Sequence, residues 1–225
     1  MAQFTIQYGR DGGTAKPDGR LDAPAFHRNL EPIWSVLGPV LEDRAGHVLE
    51  LGSGTGQHSV TYAARTPAAV WWPSDYNPAH IASIEAWRRY SRLENVRPPL
   101  AIDLAEPGWR VDAAEVAEAG GFLAFFCANV LHIAPWRVAE GLFDGAGRQL
   151  RPDGRLFVYG PFMREGRHTA PSNAAFDASL RRENPEWGVR DMGQLAALAE
   201  SNGLRMSEAV DMPSDNFVLV FERRR

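Results

Sequence analysis

One cysteine, Cys127, occurs in the 225 residues. An internal disulfide is excluded, and such cysteine usage suits a reducing compartment. No apolar run reaches the ~18 residues of a membrane-spanning helix. The stretch Met1–Arg20 lacks the apolar core of a secretory signal. Together these absences give a cytoplasmic address as the expectation. Net charge is −4, and no Lys/Arg block precedes Arg223-Arg224-Arg225. A basic nucleic-acid footprint is missing. The histidines at 27, 47, 58, 80, 132 and 168 form neither an i, i+4 pair nor a Cys/His cluster, so no metal is expected. A Gly-x-Ser-x-Gly nucleophile elbow is absent as well. The expected partner is a small molecule, with neither nucleic acid nor membrane, for a monomer or homodimer.

What is present is ordinary globular composition, 44% hydrophobic and 23% charged. Residues 1–21 are polar and Gly-rich and read as a flexible arm or a lid. Phe26, Leu30, Ile33, Trp34, Leu37 and Leu41 then mark one face of an amphipathic helix that Gly46 ends. Strand signals at 47–51, 69–73, 100–103, 122–128 and 155–160 alternate with helical stretches at 57–65, 78–93, 111–119 and 136–150. Arg151-Pro152-Asp153-Gly154 reads as a turn before the fifth strand. Such alternation predicts a parallel sheet with helices on both faces. A polar and aromatic insert at about 160–190 follows. Asp191-Met192-Gly193-Gln194 then opens a helix that Gly203 closes, and residues 207–212 and 217–221 form an antiparallel hairpin. No repeat or low-complexity tract divides residues 22–225, which read as a single domain.

Glu50-Leu51-Gly52-Ser53-Gly54-Thr55-Gly56 is the stretch richest in chemistry. Glycines at alternate positions after a buried strand let a ligand approach the backbone, and the next helix offers free N–H groups. Dinucleotide binding calls for G-x-G-x-x-G, yet residue 57 is Gln. No Lys-Ser/Thr follows, so the loop is not a phosphate-binding P-loop. An acid ahead of the glycines fits a zwitterionic nucleoside. Ligands of doubly wound sheets sit at the carboxyl ends of the strands. Asp75, after the second strand, can accept from both ribose hydroxyls while Asn77 caps the helix that Pro78 begins. Asp103 follows the third strand and His132 the fourth. An imidazole in that loop suits proton abstraction, with backbone hydrogen bonding as its other reading.

Several further stretches combine with the glycine loop. They are Phe26–Ile33, Pro73-Ser74-Asp75-Tyr76, Asn129–Trp136, Tyr159-Gly160-Pro161-Phe162, Ser172-Asn173, Asn184–Gly188 and Met212-Pro213. The chain resembles class I S-adenosylmethionine-dependent methyltransferases, within a domain-of-unknown-function family that includes the methyltransferase-like 26 proteins. The resemblance implies a Rossmann-like fold: a seven-stranded, mostly parallel sheet with an antiparallel C-terminal hairpin strand. It implies S-adenosylmethionine as cofactor and S-adenosylhomocysteine as product. The implied cofactor-binding set is Arg28, Asn29, Glu50, Gly52, Ser53, Gly54, Gly56, His58, Asp75, Tyr76, Asp103, Leu104 and Asn129. Asp103 would meet the adenine, while Arg28-Asn29 reads either as a contact to the methionine carboxylate or as an exposed face of the first helix. The implied acceptor side comprises His132, Trp136, Tyr159, Phe162, Met163, Asn173, Phe176 and Trp187, with His132 as candidate catalytic base. Met163 stands where the family pattern leads one to expect a basic residue. Two other readings stay open: a nicotinamide-dependent oxidoreductase, and a non-catalytic module that binds the same nucleoside.

Overall fold

The computed structural model describes residues 14–224. Two short strands, β1 (Thr14–Ala15) and β2 (Leu21–Asp22), pair antiparallel and lead into α1 (Pro24–Leu41). An α/β alternation follows: β3 (Gly46–Leu51), α2 (Gln57–Arg65), β4 (Ala69–Asp75), α3 (Pro78–Ser91), β5 (Leu100–Ala101), α4 (Ala114–Glu118), β6 (Phe122–Ala128), α5 (Trp136–Gln149) and β7 (Leu150–Arg164). The last third contains β8 (Arg167–His168), α6 (Pro171–Glu183), β9 (Arg190–Asp191), α7 (Met192–Ser201), β10 (Leu204–Met212) and β11 (Asn216–Arg223).

The main sheet runs β10-β11-β7-β6-β3-β4-β5. Strands β7, β6, β3, β4 and β5 are mutually parallel. Strand β11 is antiparallel to β7, and β10 to β11. The expected parallel sheet with a reversed final hairpin is thus present. Short β8 and β9 attach to the far end of β7, outside that path.

Period-two side-chain alternation divides the core between the two faces of the sheet. Along β11, Phe217, Leu219 and Phe221 face α5 and α7, while Val218 and Val220 face the α1 side. On that second face Ile33, Leu37 and Leu41 of α1 are fully buried beside Tyr62 and Phe126. Burying each such side chain stabilises the fold by about 1.5–3 kcal/mol.

Four expectations shift. Helix α1 stops at Leu41, and Gly46 instead begins β3, where a Cβ would lie 2.9 Å from that of Leu123. Helix α4 is shorter than the 111–119 pattern, because Gln149 Oε1 accepts the Val111 N–H and Ala113 is extended. Strand β7 begins at Leu150, and residues 151–154 leave register with β6 before pairing resumes at Arg155. The insert holds a helix, α6, whose buried face is Asn173, Asp177 and Leu180. Two of those three are polar, so no apolar stripe announced it. The other C-terminal readings match: Asp191 caps α7 by accepting from Gly193 and Gln194 N–H, and Gly203 follows it at φ 73°.

The arm-or-lid reading covers residues 1–21, of which 1–13 lie outside the described residues. Residues 20–23 are docked. Arg20 is 8% exposed and stacks 3.4 Å from the Tyr90 ring centroid and 4.6 Å from that of Trp87. Trp87 Nε1 donates to Leu21 O at 2.8 Å, and Leu21 N–H donates to Ser83 Oγ at 2.9 Å.

Candidate active site

A cavity of about 260 Å³ opens at the carboxyl ends of β3, β4 and β6. Its floor is the glycine loop, and its shape follows from backbone geometry. Gly52 and Gly56 adopt φ of 68° and 87°, a left-handed region that side chains disfavour. A Cβ at Gly52 would lie 2.6 Å from Val130 Cγ2, and one at Gly56 2.8 Å from the Ile84 backbone. Gly52 and Gly54 line the cavity, while Gly56 caps α2 just behind it. Ser53 stitches the strand ends together: its N–H donates to Ser74 O at 2.8 Å and its hydroxyl to Glu50 O at 3.2 Å.

Asp75 ends β4 and is 5% exposed. Its Oδ2 accepts the Gly54 N–H at 2.9 Å, and Oδ1 accepts the Asn77 N–H at 2.9 Å. Oδ1 keeps a second lone pair for a ligand hydroxyl, while the second site on Oδ2 faces His80. Asn77 caps α3 by accepting from Ala79 N–H at 2.9 Å. His80 was not anticipated; it lines the cavity with Nδ1 3.0 Å from Asp75 Oδ2. Its one sequence signal is its place in the first turn of α3, just after Asp75.

Glu50 is 2% exposed and lines the same cavity. The Ser59 hydroxyl donates to Oε2, and His58 Nδ1 lies 3.7 Å from Oε1. Burial, with Asp75 nearby, pushes its carboxyl up to about 7. The His58 ring stacks on Tyr62 at 5.5 Å and meets the edge of Phe26 at 5.1 Å. Burial pushes that imidazole down to about 4. Its Nε2 is buried without a hydrogen bond among the described residues.

Tyr76 and exposed Asp103 stand at the opposite wall, where Ile102, Leu104, Val130, Pro135 and Val138 supply an apolar surface. Burial and the charges of Asp75 and Asp103 push the Tyr76 phenol up to about 12. Asn129 sits at φ 58° on the rim, and its N–H donates to Tyr159 O at 2.9 Å. The main chain of 23–26 closes one side, because Gln57 Oε1 accepts the Ala23 N–H at 2.8 Å while Nε2 donates to Asp22 at 3.0 Å. Neither Gln57 nor residues 23–25 figured among the candidates.

The cavity thus gathers Glu50, Gly52, Ser53, Gly54, His58, Asp75, Tyr76, Asp103, Leu104 and Asn129. Arg28 and Asn29 do not line it. Arg28 projects to solvent from α1, on the side of Tyr159, whose phenol feels its charge. The acceptor-side candidates do not line it either. His132 is 8% exposed, with its ring edge on Phe176 at 5.5 Å and a Gly160 Cβ position 3.4 Å from Nδ1. Burial pushes it down to about 4. Trp136 packs against the α5 face of the core, Tyr159 on the α1 face and Phe162 inside the core. Met163 and Trp187 join a small cluster with Leu180, and Asn173 donates to Asp215 O at 3.0 Å. Phe176 is 40% exposed. These residues surround the neighbouring segment 160–190 instead of the cavity at the strand ends.

The glycine cradle, the buried Asp75 carboxylate and the apolar wall fit an adenine nucleoside with an amino-acid tail. Among the described residues no cluster of His, Cys, Asp or Glu is arranged to hold a metal ion, and no helix is long and apolar enough to cross a membrane.

Sheet order, reversed hairpin and cavity position define the Rossmann-like class I methyltransferase fold, and solved structures share it. An O-methyltransferase family protein from Burkholderia thailandensis superposes with a TM-score of 0.71 at 19% identity, over 88% of this chain and 57% of that one. The mitomycin 7-O-methyltransferase MmcR gives 0.69 at 18% identity, over 87% and 54%. CalO1, a methyltransferase in calicheamicin biosynthesis with S-adenosylhomocysteine bound, gives 0.65 at 16% identity, over 88% and 55%. The chain therefore spans just over half the length of each. A family model described as "Protein of unknown function (DUF938)" matches residues 20–223, and the chain belongs to that family.

Proposed function

We propose that this protein is a cytoplasmic methyltransferase using S-adenosylmethionine and a small-molecule acceptor. Kinship with the methyltransferase-like 26 proteins and a single domain over 22–225 form part of this reading. The observation that carries it is the convergence of Glu50, the glycine loop and Asp75 on one cavity at the strand ends. The fold shared with solved S-adenosylmethionine-dependent enzymes supports it.

When bound, the cofactor would supply an electrophilic methyl group to a nucleophilic atom of the acceptor, leaving S-adenosylhomocysteine and passing any acceptor proton to solvent. The residues of this chain hold and orient. Asp75 would accept from ribose hydroxyls, and Ile102, Leu104 and Asp103 would hold the base. Glu50 would pair with the ammonium of the methionine tail, where a desolvated carboxylate gains most from a cation. Gly52 and Gly54 admit the chain closely, and the 23–26 segment excludes water. Catalysis then rests on positioning two reactants. A neutral, buried His132 orders the acceptor side with Phe176; it is a candidate base only for an acceptor that reaches its ring.

Calorimetry with S-adenosylhomocysteine, followed by a labelled-methyl screen of metabolite fractions, tests the reading. Binding and label transfer are expected. Stabilisation by NAD without binding of S-adenosylhomocysteine would overturn it, and binding without transfer to any fraction favours a non-catalytic module.

A further inference from the structure

The cavity wall at residues 131–135 is held from outside, by one side chain. Ile133, Ala134 and Pro135 line the cavity, yet their segment is a single 3-10 turn, Leu131–Ile133, and an extended link into α5. Arg190 reaches it from β9. Its Nε donates to Leu131 O at 3.0 Å, and its Nη2 donates to Ala134 O and, at 2.8 Å, to Glu186 O. The Gly188 N–H adds a bond to His132 O at 3.0 Å. The Arg190 backbone is itself pinned, in register with Phe162 of β7. Every one of these guanidinium bonds ends on a main-chain carbonyl. Burial, with the Arg181 charge nearby, lowers its affinity for a proton from the usual arginine value.

A guanidinium is suited to this task, because its planar fork presents several donors in fixed directions. It spans the end of the insert and the cavity wall at once. We propose that Arg190 is a positioning residue: it fixes the donor-cavity wall at 131–135 to the acceptor-side segment 186–190, so that the two sites move as one. The inference rests on the donor-cavity reading above. Under it, ordering of either segment is felt by the other through Arg190.

Hydrogen exchange and calorimetry with S-adenosylhomocysteine test this on the full chain. In the wild type, ligand is expected to slow exchange at 129–136 and at 184–191 together. Arg190→Ala is expected to speed exchange at 131–136 without ligand and to weaken binding about ten- to hundredfold, the scale on which small misplacements act. Arg190→Lys, which reaches fewer carbonyls, should fall between. Arg148→Ala removes another arginine bonded to a carbonyl, that of Trp109, away from the cavity, and should leave affinity unchanged. Cooperative melting of each variant reports folding separately from affinity. A folded Arg190→Ala variant with wild-type affinity and unchanged exchange at 131–136 overturns the proposal. So does wild-type protection confined to 129–136. Faster exchange in Arg190→Ala while the wild type binds no S-adenosylhomocysteine would instead keep the tie and sink the donor reading.

Discussion

The two halves of the sheet's carboxyl edge are built differently. Beyond β3 and β4 the wall is backbone: left-handed glycines, Ser53 bonded to Ser74, and Asp75 bonded to two main-chain amides. Beyond β6 and β7 side chains build it, with His132 against Phe176 and Arg190 bonded to several main-chain carbonyls. A backbone cradle fits one ligand shape and tolerates little change. A wall of side chains on a separate helix can vary its chemistry while the cradle stays fixed. Under the methyltransferase reading, the first half keeps the donor and the second chooses the acceptor.

The sharpest way to break that contrast is Gly52→Ala. The new Cβ meets Val130 and forces a strained φ, so S-adenosylhomocysteine affinity should fall more than about a hundredfold, with about 1–3 kcal/mol of stability lost. Calorimetry and urea melts measure both; near-wild-type binding would show that the cradle is pliable. Asp75→Ala comes next. It removes the acceptor of the Gly54 and Asn77 amides, and a loss of about ten- to hundredfold in affinity is expected from charged hydrogen bonds worth about 1.5–3 kcal/mol each.

The third test uses pH. Glu50 is raised from 4.5 to about 7, so the folded state binds its proton where the unfolded state has lost it. Its contribution therefore falls as pH rises from about 4.5 to 7, by on the order of 3 kcal/mol, and is level above. His58 and His132, lowered from 6.5 to about 4, act with the opposite sign: their neutral forms favour folding as pH rises from about 4 to 6.5. The terms oppose each other in the wild type. Glu50→Gln isolates one of them, and its stability relative to wild type should climb between pH 4.5 and 7 and then flatten. A flat difference across urea melts at pH 5, 6, 7 and 8 would mean Glu50 titrates normally. The smallest effect belongs to Phe176→Ala. At 40% exposure it should change stability by less than about 0.5 kcal/mol and donor affinity by less than about twofold. A large loss of donor affinity there would erase the division between the halves.

Legibility in the sequence divides along the same line. The glycine loop, Asp75 and Asn77 were readable because backbone demands are written locally: a left-handed φ needs glycine, and a helix start needs a cap. Gln57 was read only as a departure from the dinucleotide pattern. In the fold it is the anchor that ties residues 22–23 over the cavity, which no local pattern encodes. Helix α6 hid because two of its three buried positions are Asn173 and Asp177, satisfied by partners outside the helix. Arg28 was drawn toward the cofactor by its place before the glycine loop, yet helix phase turns it to solvent.

The sequence by itself determined the alternation of the main strands and helices, the reversed hairpin and the glycine cradle. Periodicity, caps and glycine spacing are short-range properties, carried by residues close together in the chain. Only the tertiary structure decided that His80 joins Asp75, that His132 turns from the cavity toward Phe176, and that Arg190 holds the wall between them. Those outcomes depend on which distant segments burial brings together, and on which carbonyls that packing leaves needing a donor.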